Sequence, residues 1–123
     1  MSQDIVSDAL NQIMNAKKSG KKEVQINRVS TLLIGVLEMM QANKYIEFSH
    51  EDKIIKIKIL NLSECRSIKP RFNVQVADID KYLRRFLPSR NFGKLIVSTS
   101  KGLMDQDEAY EKKIGGSLIA YFY

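Results

Sequence analysis

One cysteine, one histidine and no long apolar run leave little room for several kinds of chemistry in these 123 residues. Cys65 has no second cysteine to pair with, so a reducing compartment and a cytoplasmic protein are expected. No apolar run approaches the ~18 residues that a spanning helix needs, so no membrane partner is expected. The start, Met1-Ser2-Gln3-Asp4, lacks the positive region and apolar stretch of a signal peptide. His50 stands in the polar stretch Ser49-His50-Glu51-Asp52, where a hydrogen-bonding turn residue is sufficient account of it. Cys65 has no nearby histidine to activate it. The spacings C-x-x-C, H-E-x-x-H and those of a calcium-binding loop are missing, and so is the phosphate-loop pattern G-x-x-x-x-G-K-[ST]. No metal, no cofactor, no small-molecule substrate and no enzymatic activity are expected.

Basic charge is what the sequence has in excess. Twenty Lys and Arg against fourteen Asp and Glu give +6 and favour a polyanionic partner. Residues 1–60 carry a net +2 and residues 61–123 a net +4. Between Cys65 and Lys101 lie Arg66, Lys69, Arg71, Lys81, Arg84, Arg85, Arg90 and Lys94, opposed only by Asp78 and Asp80. A second cluster, Lys17, Lys18, Lys21, Lys22 and Arg28, surrounds the end of the first helical segment. Lysines there also suit a helix C-terminal dipole. Two clusters in different halves fit a partner that runs across both and exchanges counterions for lysine and arginine.

Periodicity predicts an α+β chain of two small lobes. Residues 4–18 place Ile5, Val6, Ala9, Leu10, Ile13, Met14 and Ala16 at helical spacing, and Gly20 stops the run. A short strand follows over Glu23–Asn27. Ser30 is a candidate N-cap for a helix reaching about Asn43, with Leu32, Leu33, Val36, Leu37 and Met40 as its core stripe. Tyr45–Phe48 and Lys53–Leu60 form a hairpin around the polar turn, which completes an α-β-α-β-β lobe over residues 1–62. Residues 63–123 form a second lobe, mostly antiparallel sheet with short helices. Its strands are expected at Cys65–Lys69, Phe72–Val76, Leu95–Ser98 and the alternating C-terminal run Leu118–Tyr123. Asp78 is the expected cap of a short helix ended by Pro88. Asp105 and Glu108 have the spacing of a capping box, and Gly115-Gly116 breaks the helix that follows.

Ser98-Thr99-Ser100-Lys101-Gly102 is the segment with most chemical content, expected to leave a strand and lead towards a helix. Its hydroxyls donate and accept, Lys101 adds charge, and Gly102 lets backbone amides come close to a ligand. Phosphate oxygens, ribose 2′-hydroxyls and base edges are suitable partners. A polar turn without a ligand and a small nucleotide at a helix N-terminus are the alternatives. Gly115-Gly116-Ser117 is a helix stop, or a second close-approach point if the flanking strands pair.

The order of these segments resembles the family of small-subunit ribosomal protein eight. Asp8-Ala9-Leu10 with Ile13 and Asn15-Ala16, then Lys44-Tyr45-Ile46, is similar to its first domain. Ser98 through Asp105, followed by Ala109 and Gly115-Gly116, is similar to its C-terminal signature. Pro70 through Gln75 and Leu87 through Gly93 resemble the archaeal and eukaryotic branch, whose eukaryotic form is called ribosomal protein fifteen-a. The resemblance implies a non-enzymatic protein that binds the central domain of small-subunit rRNA, helps assemble the platform, and meets neighbouring small-subunit ribosomal proteins. It carries RNA contacts onto Ser98, Thr99, Ser100, Lys101, Gly102, Gly115 and Gly116, and Ser117 beside the glycine pair is a further candidate. It also carries contacts onto Arg28, Val29, Ser30 and Thr31, and the basic clusters add Lys17, Lys18, Lys22 and Arg71 as supporting candidates by charge. Bacterial members differ at Ser117, where they have an acid, at Gln75, where they have an aromatic, and at Met14, where arginine is common.

A DNA-binding regulator is the competing binding function, since the first lobe has some likeness to a winged helix. Such a reader needs a helix with polar side chains for the major groove. The second helix carries Leu32, Leu33, Val36, Leu37, Met39 and Met40 instead.

Overall fold

In the computed structural model, residues 5–68, 73–88 and 93–123 are described. The chain divides into two compact units, Met1–Cys65 and Arg66–Tyr123. The architecture is α+β, as the periodicity predicts.

The first unit begins with helix α1, Ile5–Lys18, which buries Val6, Ala9, Leu10, Ile13, Met14 and Ala16 on one face. Strand β1, Glu23–Ile26, leads to helix α2, Thr31–Ala42. Ser30 caps α2: its hydroxyl oxygen accepts from the Leu33 amide at 3.1 Å, satisfying one of the helix's four orphan donors. Leu33, Val36, Leu37 and Met40 of α2 are fully enclosed. Strands β2, Ile46–Glu51, and β3, Ile54–Ile59, close an antiparallel sheet in the order β1-β3-β2. In β3, Ile55, Ile57 and Ile59 are buried while Ile54, Lys56 and Lys58 are exposed, which is the alternation of a sheet covered on one face. Helices α1 and α2 touch each other and lie against β1 and β2 respectively.

The hairpin differs from the sequence expectation. β2 runs on to Glu51, and the turn shrinks to Asp52-Lys53, with Asp52 at φ +54°. His50 is therefore an exposed strand residue opposite Ile55, its ring Nε2 2.8 Å from the Asp52 carbonyl oxygen. Polar residues suit a turn and an exposed strand end equally well, so composition does not separate the two.

The second unit is built on a sheet ordered β4-β8-β6-β7, with β5 also paired to β8. Its strands are β4, Cys65–Ser67; β5, Asn73–Val74; β6, Lys94–Thr99; β7, Gly102–Met104; and β8, Gly116–Phe122. A 3₁₀ turn, Val76–Asp78, precedes helix α3, Ile79–Phe86. Asp78 occupies the cap position of α3, but its side chain makes no capping hydrogen bond; the 3₁₀ turn supplies the entry instead. Helix α4, Gln106–Lys112, is capped by Asp105, whose Oδ1 accepts from the Glu108 amide at 2.9 Å. Ile79, Leu83 and Leu87 pack with Leu95, Val97, Ala109 and Leu118 in the core of this unit.

Strict alternation fails in β8. Ile96 pairs with Ala120 but Val97 pairs with Leu118, leaving Ile119 opposite no residue of β6. This β-bulge puts Leu118 and Tyr121, three apart in sequence, on one face with Val97 and Leu95. Leu118, Ile119 and Ala120 are consequently all buried.

Candidate nucleic-acid interface

The hydroxyl segment is the turn of a β-hairpin. Ser98 pairs with Leu103 and Thr99 with Gly102, so Ser100 and Lys101 form the tip and a short strand, β7, intervenes before α4. The expectation of a strand leading directly towards a helix is corrected here. Only Gly102-Leu103-Met104 separate the turn from the Asp105 cap, too short a run for periodicity to signal a strand.

Thr99 holds the turn together. Its Oγ1 donates to the Gly102 carbonyl oxygen at 2.8 Å and accepts from the Lys101 amide at 3.1 Å. Its side chain is spent on local structure, as serine and threonine often are in turns. Gly102 lies at φ +109°, a conformation that side chains rarely adopt, and a Cβ there would meet nothing within 4 Å. The glycine thus serves the turn and leaves its outer side bare. Ser100, Lys101 and Gly102 are exposed.

The double glycine meets the same hairpin. Ser117 on β8 pairs with Ser98 on β6, and on the other side of β8 Ser117 pairs with Asn73 on β5. Cross-strand partners project from the same face, a few ångströms apart. Asn73, Ser117 and Ser98 therefore form one polar row across three strands. The hydroxyls of Ser98 and Ser117 make no hydrogen bond among the described residues, and neither does that of Ser100. A Cβ on Gly116 would collide with the carbonyl oxygen of Ser98, and one on Gly115 with that of Val74. Both glycines are required for close approach of backbone to backbone: Gly116 brings β8 against the hydroxyl strand, and Gly115 brings the start of β8 against the end of β5. Asn73 was not among the residues singled out by type; only its register places it in the row.

Helix α4 anchors the other end of β6. Gln106 is buried, accepting from the Leu95 amide at 2.9 Å and donating to the Gly93 carbonyl oxygen at 3.3 Å. Lys94 Nζ lies 3.1 Å from Asp107 and 3.6 Å from Asp105. Burial on its own would lower the Lys94 pKa, but the Asp107 hydrogen bond and the two carboxylate charges outweigh it and raise it above the usual lysine value. Lys94 is thus neutralised from within the fold. Sequence proximity set Asp78 and Asp80 against the basic run and missed these two acids. Arg84 is similarly occupied, 2.9 Å from Asp80.

In the first unit, Arg28, Ser30 and Thr31 lie together where β1 passes into α2. The Arg28 guanidinium is 3.6 Å from Asp8, both side chains about half exposed. The Ser30 oxygen is engaged in the cap, and Thr31 is exposed. Lys17 and Lys18 end α1, and Lys22 precedes β1; all three are exposed. Arg71 lies outside the described residues, as do Lys69 and Arg90. Among the described residues no group of three or more His, Cys, Asp and Glu side chains is placed to hold a metal ion. No helix among them is long and apolar enough to cross a membrane.

Comparison with known proteins assigns the chain. A family profile described as Ribosomal protein S8 matches residues 4–123. Small ribosomal subunit protein uS8 of Nanoarchaeum equitans is 43% identical over 129 aligned positions, covering all of both chains. Small ribosomal subunit protein uS8A of Saccharomyces cerevisiae is 41% identical, across 97% of this chain and 96% of its own. The protein named uS8 in Kluyveromyces marxianus is 40% identical over the same shares. With the hydroxyl hairpin, the glycine pair and the α+β architecture all lying within that match, the chain belongs to the ribosomal protein S8 family.

Proposed function

We propose that this protein is a structural constituent of the small ribosomal subunit in the cytoplasm, structural rather than catalytic, and that it binds the central domain of small-subunit rRNA in support of platform assembly. One observation carries the reading at the level of residues. The row Asn73–Ser117–Ser98 presents unpaired hydroxyls beside a hairpin tip bearing Ser100, Lys101 and a bare Gly102. Short hydroxyls on a close-packed strand surface reach the 2′-hydroxyls and base edges of a shallow RNA minor groove, where long side chains would stand off. Lys101 supplies phosphate attraction without base information. Arg28, Ser30 and Thr31, together with Lys17, Lys18, Lys22 and Arg71, add further contacts, and neighbouring small-subunit proteins complete the surroundings.

A DNA-binding regulator gains no support from α2. Leu33, Val36, Leu37 and Met40 are buried, and the rest of that helix offers few polar readers. A filter-binding titration of the full chain against a central-domain rRNA fragment and duplex DNA of equal length tests the reading. Tighter binding to the rRNA fragment is expected at every salt concentration. Equal affinity for the two would contradict it.

A further inference from the structure

The sheet of the first unit, ordered β1-β3-β2, has two edges, and they are finished differently. The Leu60 amide donates to the Tyr45 carbonyl oxygen at 3.0 Å, and the Ile59 amide to that of Lys22 at 2.8 Å. Alternation from these two bonds fixes which backbone groups turn away from β3. On β2 they belong to Ile46, Phe48 and His50; on β1 they belong to Glu23 and Gln25. Gln41 Oε1 accepts from the outward amide of Phe48 at 2.9 Å, which closes the middle of the β2 edge. The outward amides of Glu23 and Gln25 have no partner among the described residues. Charge on a short edge strand discourages indiscriminate pairing, so it also selects which strand is accepted.

Beside the bare edge runs an open groove of about 410 Å³ between β1 and α1. Gln12, Asn15 and Ser19 line it from α1; all three are exposed, and their side chains make no hydrogen bond among the described residues. Their spacing of three and four residues puts them in one row along the helix. A strand added to β1 would sit ~4.8 Å from it and turn alternate side chains to the two faces of the sheet. Those on the helix side would meet this row of amides and hydroxyl, where small polar side chains fit.

The face of the sheet away from the helices carries a row of alternating sign. Glu47 pairs with Lys58, and Lys58 with Glu23. The row ends on a carboxylate at the bare edge, and Glu23 makes no ion pair among the described residues. Opposite charges across strands are favourable and like charges are not, so the next position calls for lysine or arginine. The groove lining holds one base, Lys21, and one acid, Glu23, and so lacks the excess of cations that a nucleic-acid backbone needs. Open backbone donors and acceptors beside a carboxylate fit a polypeptide in extended form. We infer that the β1 edge takes an extended segment of a neighbouring small-subunit protein as a fourth strand, with a lysine or arginine beside Glu23 and small polar side chains over α1. The inference rests on the proposed place of the chain in the small subunit and names the surface that one neighbour uses.

Hydrogen exchange at the Gln25 amide, followed by mass spectrometry, tests this in three samples of the full chain: alone, bound to small-subunit rRNA only, and in small subunits reconstituted with the full set of proteins. Exchange should be fast in the first two and at least ~10-fold slower in the third. Protection by rRNA alone, or no protection in the subunit, would overturn the assignment. Protection that appears in the free chain as its concentration rises would overturn it too, in favour of a second copy. Gln25→Pro removes the outward amide without breaking a bond to β3, and proline is tolerated at such edge positions. That variant and Glu23→Lys should each bind rRNA with natural affinity, yet yield subunits that lose one and the same neighbouring protein on a salt wash. Glu47→Lys, which alters the carboxylate at the closed edge, should leave subunit composition unchanged. Retention of every protein by both β1 variants, or equal loss with Glu47→Lys, would contradict the inference. Failure of the natural protein to bind rRNA would instead strike the proposed function itself.

Discussion

Ser98 and Thr99 are adjacent and chemically similar, yet the fold gives them different duties. Thr99 bonds both ends of the hairpin turn, whereas the Ser98 hydroxyl has no partner among the described residues and shares a face with Ser117. Gly116 is what permits that pairing, since a side chain there would strike the Ser98 carbonyl oxygen. Its cost on substitution is therefore steric. Gly116→Ala should destabilise the protein by about 1–3 kcal/mol, the usual range for overpacking, and urea denaturation would register it as a lower midpoint. Lys94 makes a second residue-scale claim. Its folded pKa is raised above the ordinary ~10.4, so it contributes stability that is fully present below that pH. The contribution is lost as pH rises through the higher folded value. The stability difference between the natural protein and Lys94→Met should thus stay constant from neutral pH to about 10 and shrink above it. Denaturant titrations at a series of pH values check this; a difference that grew with alkalinity would be the opposite sign.

Elements showed how far a linear pattern carries. Through fixed spacing, helix α2 was legible in its cap Ser30, its exit at Asn43 and the stripe Leu33, Val36, Leu37 and Met40, while Leu32, expected in that stripe, is only partly buried. The capping role of Asp105 was legible for the same reason. Strand β7 was not, since three residues hold no period, and its pairing with β6 is what turns the hydroxyl segment into a hairpin. The bulge at Ile119 was equally hidden: it shifts register without changing residue type, so Leu118 joins the face of Tyr121 against the apparent alternation. Gln106 escaped notice because a glutamine after a cap resembles any solvated helix residue. Buried, it satisfies the Leu95 amide and the Gly93 carbonyl and fixes α4 to the start of β6. Gln106→Leu keeps the volume but orphans both groups. A loss of about 1–3 kcal/mol in unfolding free energy is expected from that, by the same urea titration.

At the scale of the molecule, the net charge of +6 named a polyanion and no more. Folding sorts that charge into used and unused portions. Lys94 and Arg84 are neutralised by acids of their own unit, whereas Lys101 at the hairpin tip is exposed and makes no ion pair among the described residues. The family signature located the hydroxyl segment in the sequence; the register of three strands then selected Ser98 and Ser117, with Asn73, from among its polar neighbours. Pairing across strands far apart in the chain is a tertiary property, which explains why the row itself could not be read in advance. The central claim is that these unpaired hydroxyls, more than the surrounding charge, give the protein its grip on rRNA. The affinity of Ser98→Ala/Ser117→Ala for a central-domain rRNA fragment, measured by filter binding at fixed salt, tests it most directly. Two lost hydrogen bonds at about 0.5–1.5 kcal/mol each predict a weakening of about 5- to 150-fold, with unchanged thermal stability. Affinity equal to that of the natural protein would contradict the account.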